Sequence, residues 1–450
     1  MKWIWGINSL FFCVIVCLNF EFETIGTIIP LGLCALVLYM YTLGRKNRSY
    51  KNLLFFSYSF YSLIGTINYC VYLHFCGFTF APFHDDSYYW MNITALLNGD
   101  FSVHYTFFEL VMAVLCMPFK SFHLEHCYLL PVNWMLGAIV VVEAVKFARK
   151  VIPIKTISNK YVNALIILLN TSFIDGTVHF YRDIWMCLFF IIALNAIYEN
   201  KYVKSLWATF FTGLIRGANA FILLFYMLLN KMAGIRRISR SILLFMVVGV
   251  CLGLFALSYV VNIEDYMRSF SSQASTGASD SFSDRIDYFL HQEGASGGVV
   301  QLLRSPNPFL KLLALPIYIF SPFKVGDFFV VGNYTLRFAV YPSVLRFRTD
   351  SVWEIFMIVF YAFMIPKLFV GFYYWLKDKS NKNMVLFFTF IVMMVTVTYI
   401  SMQTRHKMMF ILLYPLAYNY YIAYSSDRTK QKCSIAGSLF LVLILCYNLI

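Results

Sequence analysis

The sequence predicts an all-α, polytopic integral membrane protein, and three observations carry that prediction. Of its 450 residues, 60% are hydrophobic, 19% aromatic and only 13% charged, whereas roughly a quarter of a soluble domain is charged. The mean hydropathy is +0.69. The apolar residues come in blocks of roughly 15 to 25 separated by short polar breaks, the length a helix needs to cross a bilayer. A single membrane domain over 1–450, with about 11 to 13 transmembrane or re-entrant helices, accounts for the whole chain.

The net charge of +14 sits in small clusters between apolar blocks: GRKNRSYK (44–51), KFARK (146–150), KMAGIRRISR (231–240), KDKSNK (377–382) and DRTKQK (427–432). None is large enough to track a phosphate backbone, so a nucleic-acid partner is excluded. Short basic loops between spans belong on the cytoplasmic side. The charge therefore reports topology. The eleven cysteines are scattered, mostly within apolar blocks, and form no C-x-x-C pair; they read as small buried hydrophobes rather than zinc ligands or a disulfide framework. The amino-terminal run MKWIWGINSLFFCVIVCLNF lacks a small-residue cleavage site and reads as an uncleaved first span.

With the basic clusters held on one side, each block takes a direction. Block 3–20 leaves the cytoplasm, 25–43 returns and 52–79 leaves again, which puts 80–103 outside. Within it, SYYWMNITALLN (87–98) reads as an interfacial helix with Tyr88, Tyr89 and Trp90 at the aromatic belt. Two blocks lie between 104 and 146 where parity demands an odd number of crossings, so either 105–118 is re-entrant or the basic loop KFARK is an exception to the charge rule. Blocks 161–174 and 184–198 flank DGTVHFYRD (175–183), again outside.

Next, SLWATFFTGLIRGANAFILLFYMLLN lies between two basic clusters, so it must enter and return. Two arms of about 11 residues are too short for a core of about 30 Å. A re-entrant hairpin turning at Arg216-Gly217 is expected, with its turn buried in protein or lining a wet cavity. After block 241–262, residues 263–308 form the longest outer loop, Ser/Gly/Ala-rich over 271–284. Residues 309–323 are apolar but broken by Pro316 and Pro322, and 324–350 form a second large outer loop. Blocks 351–376, 384–401, 408–424 and 434–449 complete the chain, with MQTRHK (402–407) outside.

Parity thus gathers both signs of charge at the outer rim. Asp85, Asp86, Asp175 and Asp183 lie there, and so do Arg182, Arg216, Arg304, Arg405, His406 and Lys407. Ionisable groups at apolar depth are costly unless paired or wet, which makes them functional candidates. Paired carboxylates supply a general base, because a like-charged neighbour raises one pKa toward neutrality. Arginines grip a phosphate or diphosphate through two hydrogen bonds at once. Together they fit glycosyl transfer from a lipid-linked diphosphate sugar: a carboxylate takes the acceptor proton while cations stabilise the departing diphosphate. Blander roles stand beside these. Asp85-Asp86 can simply favour a helix N-terminus, Arg182-Asp183 can open the next helix, and His84 alone is a weak signal. The remaining histidines lack metal-ligand spacing. Asn92-Ile93-Thr94 and Asn333-Tyr334-Thr335 match the N-glycosylation pattern.

HDDSYYW (84–90), RDIW (182–185) and LIRGAN (214–219) resemble membrane glycosyltransferases of the GT-C kind. SPNPFLKLLALPIYIFSPF (305–323) and TRHKMMFILLYPL (404–416) resemble the Wzy-type polymerases of O-antigen and capsule repeat units. The polymerase resemblance implies block transfer of a growing glycan from undecaprenyl diphosphate onto a lipid-linked repeat unit, at the outer face of a bacterial inner membrane. It makes Asp85 or Asp86 the catalytic carboxylate of the acidic loop, and Arg182, Arg216 and Arg405 the cations facing diphosphate or glycan. His84, Asp183, Arg304, His406 and Lys407 would complete substrate binding. A chain-length regulator, a flippase and membrane lipids are the implied partners; no cofactor is required, and a divalent metal is left open. The early acidic pair pulls toward a GT-C transferase that uses a polyprenyl-phosphate sugar. A flippase or transporter of lipid-linked sugar is the third reading, against which the outer-rim placement of the charges argues.

Overall fold

Wherever the apolar blocks are described they are helical, since a helix alone satisfies its backbone groups within one segment. In this computed structural model the described residues are 24–44, 48–76, 85–103, 105–121, 129–154, 156–235, 349–400 and 407–449, with residue 249 and four two-residue strands between 329 and 347. They fall into two units, one within 1–146, 157–188 and 326–353, the other within 147–156, 189–325 and 354–450.

The first unit is built from α1 (Thr24–Leu43), α2 (Lys51–Cys76), α3 (Asp85–Leu97), α4 (Phe107–Cys116), most of α5 (Leu130–Val151), α6 (Ile157–Leu168), α7 (Thr171–Val178) and the start of α8 (Asp183–Tyr198). Small residues let its helices approach closely. A Cβ on Gly65 of α2 would lie 2.5 Å from Trp134 Cε2 of α5, and one on Gly137 would lie 3.0 Å from Tyr61 Cε2. At one end Tyr41 donates to Glu143, and Lys146 Nζ lies 2.7 Å from Glu143 Oε1 and 3.0 Å from Tyr41 Oη. Lys160 Nζ donates to the Ser49 carbonyl at 2.6 Å and stands 4.3 Å from the centre of the Tyr50 ring. The basic stretches before α2 and at the end of α5 thus meet at one end of this unit.

The second unit holds the rest of α8, α9 (Tyr202–Ile215), α10 (Gly217–Ile235), most of α11 (Thr349–Leu376), α12 (Asn381–Ile400), α13 (Met408–Ile411), α14 (Tyr414–Tyr424) and α15 (Asp427–Leu449). Helices α9 and α10 fold back on one another, with Ser205 Oγ 3.4 Å from Met227 Sδ, and α10 packs on α12. Trp375 is fully buried and stacks on Tyr420, their ring centres 5.8 Å apart. Its indole N–H donates to the Asn383 carbonyl at 2.8 Å. Asn383 also accepts from Tyr198 Oη at 2.9 Å and donates to Asp378 Oδ2 at 2.8 Å, while Tyr420 donates to the same carboxylate. This polar chain ties α8, α12 and α14 to the 377–380 turn.

Several boundaries differ from the sequence reading. Residues 175–178, expected in an outer loop over 175–183, belong to α7, whose N-terminus is capped by Asn170 accepting from Ser172 N at 3.1 Å. Only 179–182 is left as loop, and α6 and α7 meet at a 69° bend. KFARK and DRTKQK are helical rather than loops. The charges lie where helix ends favour them: Arg149 and Lys150 in the last turn of α5, Asp427 in the first turn of α15. The hairpin arms have 14 and 19 residues, more than the expected 11 or so, because α9 already starts at Tyr202 and α10 continues past Lys231. Block 408–424 is split at Leu412-Leu413, just before Pro415. Within the expected loop 324–350, Phe329 pairs with Phe347 and Thr335 with Val340 in two short antiparallel ladders, a small departure from an all-α fold.

Among the described residues, three helices are long and apolar enough to cross a membrane (Leu130–Val151, Phe356–Leu376 and Asp427–Cys446), or four if the bent pair Asn159–Leu168 and Thr171–Val178 is one span. Large apolar side chains are exposed along whole helix faces: Leu206, Trp207 and Phe210 on α9, Leu439, Val442 and Leu443 on α15. The expected segments 3–20 and 309–323, and 241–262 apart from residue 249, lie outside the described residues.

Packing and charge each yield a test. A Cβ on Gly371 of α11 would overlap the Ala417 carbonyl of α14, and backbone cannot rotate away as a side chain can. Gly371→Ala is expected to lower stability by about 1–3 kcal/mol, read as a lower unfolding temperature in detergent. Glu199, just past α8, is gripped by Lys150 and by Lys201 at 2.6 Å; those hydrogen bonds pull its carboxyl from 4.5 down to about 2. A depressed folded-state pKa stabilises above the unfolded value and loses that stability as pH falls. The wild type should therefore melt above Glu199→Gln at pH 7, with the gap closing between pH 4.5 and 2.

Candidate functional site

Helix α3, which opens with Asp85 and Asp86, meets the RDIW arginine within the first unit, through Tyr89, 93 positions before Arg182 in the chain. Asp85 and Asp86 open α3, where acidic residues complement the helix dipole. One turn later comes Tyr89, buried, with the Arg182 guanidinium carbon 5.8 Å from its ring centre. A cation over an aromatic face contributes about 1 kcal/mol or more when desolvated. Arg182 is only 5% exposed and Asp183 1%, so two ionisable side chains sit below the surface where the loop between α7 and α8 ends. Arg182 Nε is buried without a hydrogen-bond partner among the described residues.

Two devices hold that loop. Asn133 of α5, fully buried, donates to the His179 carbonyl at 2.9 Å and to the Tyr181 carbonyl at 3.1 Å, and accepts from Trp185 Nε1 at 3.0 Å. Phe108 of α4 touches Tyr89, Phe180 and Trp185, at ring-centre distances of 5.4, 5.4 and 6.1 Å. His179 stacks on Tyr181, and its Nε2 lies 3.7 Å from Asp175 Oδ1.

Helices α3 and α4 pack together around a buried carboxylate. Glu109, fully buried, accepts from Asn92 Nδ2 at 2.6 Å and from the Thr106 backbone N–H. The second bond is the reciprocal half of a capping box. The rim charges read from the sequence omit Glu109, although two signals mark it: the T-x-x-E spacing of Thr106 and Glu109, and a lone acid in the apolar run FFELVMAVLC. Asn133 carries no such mark, since a single Asn in an apolar helix has no spacing to read. Asn92 is 2% exposed and hydrogen-bonded, so its sequon does not present an open amide in the fold.

The other candidates fall elsewhere. Arg216 belongs to the second unit and caps α9 in extended conformation, its N–H donating to the Thr212 carbonyl at 2.8 Å. The chain breaks there as expected from LIRGAN. Lys407 is buried at the start of α13, 1% exposed, and burial pushes its amine down to about 7. The side chains of Asp85 and Asp86, and all of His84, Arg304, Arg405 and His406, lie outside the described residues. No group of three or more His, Cys, Asp or Glu among the described residues has metal-binding geometry.

Chemically, the loop offers a buried guanidinium and an adjoining carboxylate at the start of α8, next to the helix that begins with two acids. Such a set can bind an anion and hold a hydroxyl for proton removal. No protein-family model, curated protein or solved structure matches the chain.

Asn92→Ala is expected to cost about 1–3 kcal/mol by leaving Glu109 without its side-chain donor. The added variant Glu109→Gln should recover part of that loss, since a neutral amide costs less to bury unpaired than a carboxylate and can still accept from the Thr106 N–H. Thermal melting of the single and double variants in detergent checks both.

Proposed function

We propose that the chain is a polytopic membrane glycosyltransferase that polymerises lipid-linked oligosaccharide repeat units, with undecaprenyl-diphosphate glycan as donor. The observation that carries the reading is the placement of Arg182, buried against Tyr89, beside the helix that starts with Asp85-Asp86. The guanidinium suits the diphosphate and the acids suit the acceptor hydroxyl. In the transfer, the acceptor oxygen forms the new glycosidic bond, its proton passes to a carboxylate, and the C–O bond to the lipid diphosphate breaks. Arg182 would stabilise the charge that gathers on that leaving group.

Membrane immersion is supported by the exposed apolar faces of α9 and α15, which water would penalise. Helix lengths also favour a topology for 104–146. Helix α4 has 10 residues, about 15 Å, half of a hydrocarbon core, whereas α5 has 22. We read α4 as non-crossing and α5 as the single crossing, which restores parity with the basic end of α5. The meeting of that end with the stretch before α2, through Lys146, Lys160 and Tyr50, supports one cytoplasmic side for both.

A second reading, a GT-C transferase using a polyprenyl-phosphate sugar, is favoured by the same early acidic pair at the start of the helix whose Tyr89 meets the arginine. One experiment separates them: delete the gene, resolve the surface polysaccharide on a gel, and complement with wild type, Asp86→Asn and Arg182→Ala. The polymerase reading expects the long ladder to collapse to core carrying a single repeat unit, restored by wild type and not by Arg182→Ala. Loss of every repeat unit would favour the transferase or the flippase, and an intact ladder would overturn the assignment.

A further inference from the structure

We propose that Asn133 is a positioning residue for Arg182, fixing the guanidinium for the lipid diphosphate; this rests on the reading above. The geometry is specific. One fully buried amide engages the chain on both sides of residue 182, through the carbonyls of His179 and Tyr181 before it and the indole of Trp185 after it. All three bonds are 2.9–3.1 Å long, and a buried amide has few better ways to satisfy two donors and one acceptor site.

The loop needs such a hold. Residues 179–182 are the non-helical link between α7 and α8, and the carbonyls of His179 and Tyr181 lie beyond the reach of either helix's own ladder. Without Asn133, those two carbonyls would lose a protein donor in a buried setting and the link could relax. The arginine would then leave the Tyr89 ring, because the backbone that aims it would no longer be fixed. Phe108 packs on Phe180 and Trp185, but ring contacts do not set the direction of a carbonyl. Asn133 touches no reacting group in this account; it acts through Arg182.

The test is a double-mutant cycle on the full-length protein purified in detergent. Asn133→Asp keeps size and the acceptor for Trp185 while removing both donors. Trp185→Phe keeps an aromatic ring and removes one N–H, and guards against a misfolded Asn133→Asp. Each is combined with Arg182→Ala, and two quantities are read: KM for the lipid-linked donor, and binding of farnesyl diphosphate as a simple polyprenyl diphosphate. Asn133→Asp should weaken both about tenfold, with kcat changed less, and Trp185→Phe about threefold. Added to Arg182→Ala, neither should weaken them further, since coupled residues are not additive. Multiplying effects would overturn the proposal, because a merely structural residue adds its loss independently. If farnesyl diphosphate binds with the expected coupling but no polymer forms, the positioning role stands and the polymerase reading falls. If the wild type neither binds nor transfers, both fall.

Discussion

Every break in an apolar helix leaves carbonyls that need a donor, and this chain meets that demand with a small set of long or amide side chains. Asn133 holds the His179 and Tyr181 carbonyls. Asn230 donates to Ile197 O at 2.9 Å and to the Asn200 side chain at 3.0 Å, beside the left-handed turn at Asn200, φ 60°. Lys120 donates to Leu97 O, Lys160 to Ser49 O and Arg149 to Ile154 O. Asn133, Asn230 and Lys160 reach from one element to another, Lys120 reaches the last residue of α3, and Arg149 closes the turn after its own helix. An unmet carbonyl in a dry setting costs about 1–3 kcal/mol, so these donors decide where the helices can stop. Buried polar residues lie both in mid-helix, as Ser57, Ser62 and Thr389 do, and at helix ends, as Glu109 and Asp183 do, and the functional candidates belong to the second group.

This explains how far the sequence could be read. Apolar block lengths located the helices, because hydropathy is summed over many residues and survives local exceptions. Their ends were less legible. KFARK and DRTKQK read as loops because charge interrupts the apolar pattern, yet both are helical: the cations of KFARK and Asp427 of DRTKQK suit the helix dipole, and the remaining charges do not stop the helix. The break at Arg216 was legible because two short arms between basic clusters leave only one place to turn. The α7 cap was not, since Asn170 looks like any other polar residue in an apolar run until its side chain is seen to accept from Ser172.

The candidate site was legible in composition and not in support. Arg182 and the Asp85-Asp86 pair stand out as charges in greasy surroundings. Tyr89, Phe108 and Asn133, which hold the arginine's surroundings in place, look like ordinary belt or core residues. Their role depends on contacts across 46 to 93 positions of chain, from Asn133 to His179 and from Tyr89 to Arg182, which no local pattern records. Long-range pairing is also why Glu109 escapes notice: its T-x-x-E spacing speaks of a helix start, while its partner Asn92 comes from the preceding helix.

The burial of Asn92 has a consequence for how the protein can be made. Its N-I-T triplet is chemically complete, and Thr94 stays exposed. An oligosaccharyltransferase reads the extended chain before folding hides the amide. A sugar attached there would carry a large hydrophilic group into the space that Asn92 shares with Glu109, and α3 could not dock on α4. A host that glycosylates asparagine during translocation would thus produce a chain barred from its own fold wherever 80–103 is translocated, whereas a host without that modification leaves the amide to reach its carboxylate.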